Sequence, residues 1–218
     1  DLVTRLRRGP MPLDEVVKMI DGLAAGVGAA HAKMMVHRNI KPRNVLWSTH
    51  GRVVITDFDL VLPGRDDEER RVDVLDTFLF AAPERASHPD KPQRRADQYR
   101  LAMLAVYALN GSALHMGVVY DTRGFLHQLD APTRVKRVLA RALSLDPKLR
   151  FDNVLELAEA LRAAAACVTH QGRPEGVADL RDAVAFLQPG DSPGPAGEVH
   201  RVLSEETDLS RAGRFRSV

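Results

Sequence analysis

The stretch Ala96 to Asn110 is apolar on nearly every side, and such a helix is stable in water only when other elements enclose it. That one segment demands a multi-helix core, with Gly111 as its stop. The enclosing elements are legible nearby. Between Leu13 and Val36 the residues Val16, Val17, Ile20, Leu23, Ala24, Val27 and Ala30 recur at steps of three and four, with Asp14 and Glu15 in the first turn. That pattern predicts a second buried helix with acids at its positive end. Gly22, Gly26 and Gly28 each cost about 1 kcal/mol against alanine inside it, so their presence predicts close packing. Arg134 to Ser144 and Asn153 to Cys167 read as amphipathic helices, the latter capped by Asp152 or Asn153. Two short β-rich runs, Asn44 to Trp47 and Arg52 to Thr56, flank Ser48-Thr49-His50-Gly51, the composition of a hairpin turn. The chain is expected to be mainly α, with one small β-hairpin.

Charge and cysteine content narrow the function classes. A formal net charge of +2 gives no reason for nucleic acid or an anionic membrane as partner. Cys167 is the sole cysteine, which excludes an internal disulfide and a cysteine-built zinc site and fits a reducing, cytoplasmic setting. The most apolar stretches, Leu101 to Leu109 and Leu23 to Ala30, fall far short of the ~20 residues that span a bilayer. Leu62 to Asp76 mixes Pro63, Gly64 and dense charge without apolar periodicity, and reads as an exposed loop. After His170 the composition shifts to Gly, Pro and charge. The expected organisation is therefore a folded unit over 1–170 and a Gly/Pro-rich tail over 171–218, with one weak helix from Val177 to Leu187.

The polar residues between these elements carry the chemistry. His37-Arg38-Asn39-Ile40-Lys41-Pro42-Arg43-Asn44 lies between the first buried helix and the hairpin, and Asp57-Phe58-Asp59 follows the second strand. The first run resembles the catalytic loop of protein kinases, H-R-D-x-x-x-x-N, and the second resembles their D-F-G magnesium motif. Ala82-Pro83-Glu84 resembles the A-P-E motif that ends the activation segment. Asp97 stands where the family places the aspartate of its central helix, and Asp146 to Phe151 resembles the late segment whose arginine, here Arg150, pairs with the A-P-E glutamate. Five motifs in family order, from Asp1 to about His170, resemble the C-terminal lobe of a bacterial-type serine/threonine protein kinase. Lys41-Pro42 and Thr77, seven residues before Glu84, match the serine/threonine branch.

The resemblance implies ATP and Mg²⁺ as cofactors, a protein substrate or partner, and named roles. Asn44 and Asp57 match the family's magnesium ligands. Lys41 matches the lysine that approaches the transferred phosphate, Thr77 the hydroxyl that steadies the catalytic loop, and Leu46 the residue beneath the adenine. His37 and His31 are expected in the core, as is Trp47. Asp97 is expected to anchor the backbone of the catalytic loop, and Arg38 to hold the following loop through Asp73 or Glu69.

Three departures oppose ordinary catalysis. Asn39 stands in the position of the catalytic aspartate, and a neutral amide has no basic lone pair at physiological pH; general-base assistance is worth roughly 10²- to 10⁴-fold. Asp59 replaces the glycine of D-F-G. No G-x-G-x-x-G loop and no strand lysine precede Leu13, so the nucleotide-covering lobe is missing from this sequence. The expectation is a pseudokinase or regulatory binding module, inactive alone. The alternative is an ATP-dependent serine/threonine kinase of which this is a truncated piece.

Overall fold

A computed structural model describes residues 1–58, 79–87, 93–111, 114 and 117–166, all within one unit spanning Asp1–Asp179. The expected loop over Leu62 to Asp76, together with Asp59, Thr77, Cys167 and the tail, lies outside the described residues.

Eight α-helices, two single-turn 3-10 helices (Pro42–Asn44 and Pro147–Leu149) and one hairpin lie among the described residues. Helix α1 (Leu2–Leu6) is capped by Asp1, whose Oδ1 accepts from the Thr4 amide at 2.8 Å. Helix α2 (Leu13–Ala32) carries Asp14 and Glu15 in its first turn, as expected, and buries Val16, Ile20, Leu23, Ala24 and Val27. It stops at Ala32, short of Val36, because Met34 enters the left-handed region at φ 61°. Strands β1 (Val45–Trp47) and β2 (Val53–Ile55) pair antiparallel, Val45 with Ile55 and Trp47 with Val53. Helices α3 (Glu84–Ser87), α4 (Arg94–Asn110), α5 (Gly117–Tyr120), α6 (Thr122–Gln128), α7 (Thr133–Ala142) and α8 (Val154–Ala166) follow.

Helix α4 is the axis of the core. Thirteen of its residues are buried, from Ala96 to Leu109, and it packs against α2, α7 and α8. Gly111 ends it with φ 71°, and a Cβ there would collide with the Pro10 backbone, so both the turn and the approach of Pro10 require glycine. Close packing explains two of the three α2 glycines. A Cβ at Gly22 would strike Val53 of β2, and one at Gly28 would press on Leu155, whereas Gly26 faces open space. Asn153, rather than Asp152, caps α8: its Oδ1 accepts from the Leu155 and Glu156 amides at 3.0 and 2.9 Å. Helices α1, α5 and α6 had no sequence signal, since at four to seven residues they are too short for apolar periodicity to register. No helix among the described residues is long and apolar enough to cross a membrane.

Candidate functional site

The site is built on the loop joining α2 to β1 and is anchored from below by α4. Asp97, in the first turn of α4, is fully buried. Its Oδ2 accepts from the His37 amide at 2.7 Å and contacts His31 Nε2 at 2.9 Å; its Oδ1 accepts from the Arg38 amide at 2.9 Å and from Arg100 Nη1 at 3.2 Å. One carboxylate thus holds two consecutive loop amides, as the sequence led us to expect. The amides need the support, because Arg38 sits at φ 65°, a region costly for a residue with a Cβ. His31 is more than filler. Arg100 had no role in the sequence reading, yet it pairs with Asp97 inside the core, and an acid and an arginine three apart in a buried helix are the signal for it. Burial pushes the Arg100 pKa down, opposed chiefly by the Asp97 charge.

His37 occupies the core beneath the loop with no exposed surface. Its ring stacks on Phe58 at 4.1 Å between centroids, its Nδ1 accepts from the Asn39 amide at 3.3 Å, and its Nε2 has no partner among the described residues. Burial lowers its pKa against the opposing pull of Asp97, which favours the neutral ring. Trp47, expected in the core, is instead 36% exposed. It lines a groove of about 660 Å³ with Met11, Met19, Arg52 and Val53. Strand alternation puts Leu46 and Val54 on the opposite face of the hairpin.

Asn39, Asn44 and Asp57 converge. Asn44 is buried, and its Nδ2 donates to the Asn39 carbonyl at 2.8 Å. Its own carbonyl accepts from the Thr56 amide at 3.0 Å, which ties the loop to the end of β2. Asp57 follows at φ 59° with an exposed side chain. Thr56 Oγ1 lies 3.4 Å from both Asp57 Oδ2 and the Asn44 carbonyl. The Asn39 carboxamide spans the same gap, donating through Nδ2 to the Asp57 carbonyl at 3.2 Å. Lys41 is half-buried beside Pro42.

A second polar cluster fixes the start of α3. Arg150 Nη1 and Nη2 donate to Glu84 Oε1 and Oε2, both at 2.8 Å, and Nη1 and Nε also reach the carbonyls of Arg95 and Ser144 at 2.9 Å. This bidentate pair was expected. Gln98 was not: it bonds Phe151 from both ends of its amide, donating to the carbonyl and accepting from the amide at 2.9 Å each.

Comparison with known proteins decides the family. The protein kinase domain family matches residues 1–166. The chain belongs to that family. A second family, a protein of unknown function (DUF1403), matches residues 138–212. Among kinase relatives, the serine/threonine-protein kinase PknE of Mycobacterium tuberculosis is 29% identical over 178 residues, covering 76% of this chain and 31% of PknE. PknH of the same species is 29% identical over 177 residues, covering 75% of this chain and 28% of PknH. The solved kinase domain of M. tuberculosis PknI superposes with a TM-score of 0.56 at 25% identity, over 76% of this chain and 62% of that one. The chain therefore spans about a third of its curated relatives' length.

A kinase domain implies ATP and Mg²⁺, and the donor set fits the metal. Mg²⁺ takes one or two protein oxygens and completes its shell with phosphate and water. With Asn44 Nδ2 committed to the Asn39 carbonyl, the Asn44 Oδ1 remains as acceptor. Asp57 would supply the carboxylate, and no cluster of three or more His, Cys, Asp or Glu competes among the described residues. Bound there, Mg²⁺ would neutralise charge on the β- and γ-phosphates.

Proposed function

We propose that this chain is the C-terminal lobe of a serine/threonine protein kinase domain, impaired in phosphoryl transfer, and that it works as a pseudokinase or regulatory module that binds a partner protein. The observation that carries the reading is Asn39. Its amide stands at the position of the family's proton acceptor, and its side-chain nitrogen is already committed to the Asp57 carbonyl. An amide in that role does not accept the substrate's proton, whatever hydrogen bonds its oxygen still makes. The folded unit over 1–170, the tail over 171–218 and a cytoplasmic location belong to the same proposal. Leu46 would form the adenine floor, Lys41 would meet the transferred phosphate, and Thr77 would steady the loop.

The test is radiolabelled phosphate transfer from Mg²⁺-ATP to a generic protein substrate, alongside calorimetry of Mg²⁺-ATP binding. The expected result is no measurable transfer and affinity weaker than micromolar, for this chain and for Asn39→Asp alike. Transfer by either would overturn the reading. The alternative is an ATP-dependent serine/threonine kinase whose nucleotide-covering lobe lies beyond this sequence. The Asn44 amide oxygen, left as an acceptor once Nδ2 bonds the Asn39 carbonyl, favours it, and activity of a longer protein containing Asn39 would establish it.

A further inference from the structure

We infer that Asn39 is a positioning residue for Asp57, a brace that holds the magnesium-motif backbone on the catalytic loop without nucleotide or metal. The inference rests on placing Asn39 in the kinase site but holds whether or not phosphate is transferred. Two hydrogen bonds link the two segments, and a third within the catalytic loop closes them into a ring. Asn39 Nδ2 donates to the Asp57 carbonyl, Asn44 Nδ2 donates to the Asn39 carbonyl, and the Thr56 amide donates to the Asn44 carbonyl. The first is the one that reaches Asp57 itself, at a residue whose φ of 59° is costly for anything but glycine, asparagine or aspartate.

The chemistry of the bond makes the amide specific. A carboxamide of this length offers both a donor and an acceptor, whereas an ionised carboxylate only accepts. An aspartate at position 39 would turn two lone-pair-bearing groups toward each other, its own carboxylate and the Asp57 carbonyl. The residue that removes the base therefore supplies a donor that a base lacks. On this view position 39 exchanges a catalytic role for a holding one, and the two motifs stay docked in the empty protein.

The experiment compares wild type, Asn39→Asp and Asn39→Ala in EDTA without nucleotide, by hydrogen exchange and thermal melting. Exchange across residues 55–58 is expected to quicken about 2- to 10-fold in both variants, with α8 unchanged as the internal control. Melting should drop by about 1–6 °C, more in Asn39→Asp than in Asn39→Ala. Wild-type exchange across 55–58 in Asn39→Asp would overturn the inference. So would acceleration shared equally by α8, which signals general destabilisation without a local brace. If Asn39→Asp does not fold, Asn39→Ala decides alone, and unchanged exchange across 55–58 in that variant overturns the inference. Because no nucleotide is present, the outcome is separate from that of the transfer assay.

Discussion

The anchor under the loop and the site above it are built from the same residue types but held in different ways. Below, Asp97 and Arg150 are almost wholly buried, lie in ion pairs with Arg100 and Glu84, and make four polar contacts each with side chains and backbone. Above, Asn39 is half-buried and Asp57 exposed, joined by a neutral bond of 3.2 Å. Charge-assisted bonds are roughly twice as strong as neutral ones, and a buried charge stripped of its partner costs several kcal/mol. The anchor therefore tolerates almost no change, while exchanging an amide for an acid at the site costs only about 0.5–1.5 kcal/mol, that of one neutral hydrogen bond.

The largest break in that comparison should come at Asp97. Asp97→Ala removes the acceptor of two loop amides and leaves Arg100 charged and unpaired within the core. A loss of about 3–5 kcal/mol is expected, read as a lowered urea midpoint, with the loop released. A loss below about 1 kcal/mol, the scale of a surface ion pair, would show that the anchor is not what holds the frame.

Most of this frame was legible because burial leaves a mark on sequence. The α2 and α4 patterns, the Asp97 anchor and the Glu84–Arg150 pair all follow from apolar spacing or from motifs in a fixed order. What was not legible depends on distances between segments far apart in the chain. Nothing at Gln98 announces that its amide will meet the Phe151 backbone, and nothing at Asn39 that its carboxamide will find the Asp57 carbonyl. Trp47 misled for a related reason. A large aromatic in a strand is usually buried, but a two-stranded hairpin has one face on α2 and an open end, and Trp47 lies at that end beside the groove.

A smaller effect should appear at alkaline pH, from a group in the anchor region. Tyr99 is 2% exposed and lies under the Arg150 guanidinium, 5.0 Å from its ring centroid. Burial raises its pKa from 10.0 to about 12, opposed by Arg150 and reinforced by Glu84. The folded pKa exceeds the unfolded one, so the neutral phenol stabilises the fold. That stability is fully present below pH about 10 and is lost as pH rises toward about 12, amounting to about 2–3 kcal/mol. Tyr99→Phe should flatten this part of the stability-versus-pH curve relative to wild type. Parallel curves for the two proteins would place the titration elsewhere.

The smallest effect tests strain where the anchor meets solvent. Met34 ends α2 in the left-handed conformation, at φ 61°, with its side chain 81% exposed. The amides of Met34 and Met35 close the helix onto the His31 and Ala30 carbonyls at 3.0 Å, the position where helices commonly place glycine. A left-handed residue with a Cβ costs roughly 1–2 kcal/mol, while glycine adds unfolded-state freedom worth about 0.5–1 kcal/mol. The side chain contributes one contact that glycine would lose, Arg94 Nη2 to Sδ at 2.8 Å, and it is exposed. Relief of strain is the larger of these effects, so Met34→Gly should raise stability by about 0.5–1 kcal/mol, a gain of about 1–4 °C in melting temperature. A lower melting temperature would mean that the Arg94 contact outweighs the backbone strain. In that case Arg94→Ala in the wild-type background should reproduce the loss. Either result leaves the Asp97 hub untouched, since Met34 lies outside its hydrogen bonds, and so measures how much of the loop's geometry is set by the helix end rather than by the buried carboxylate.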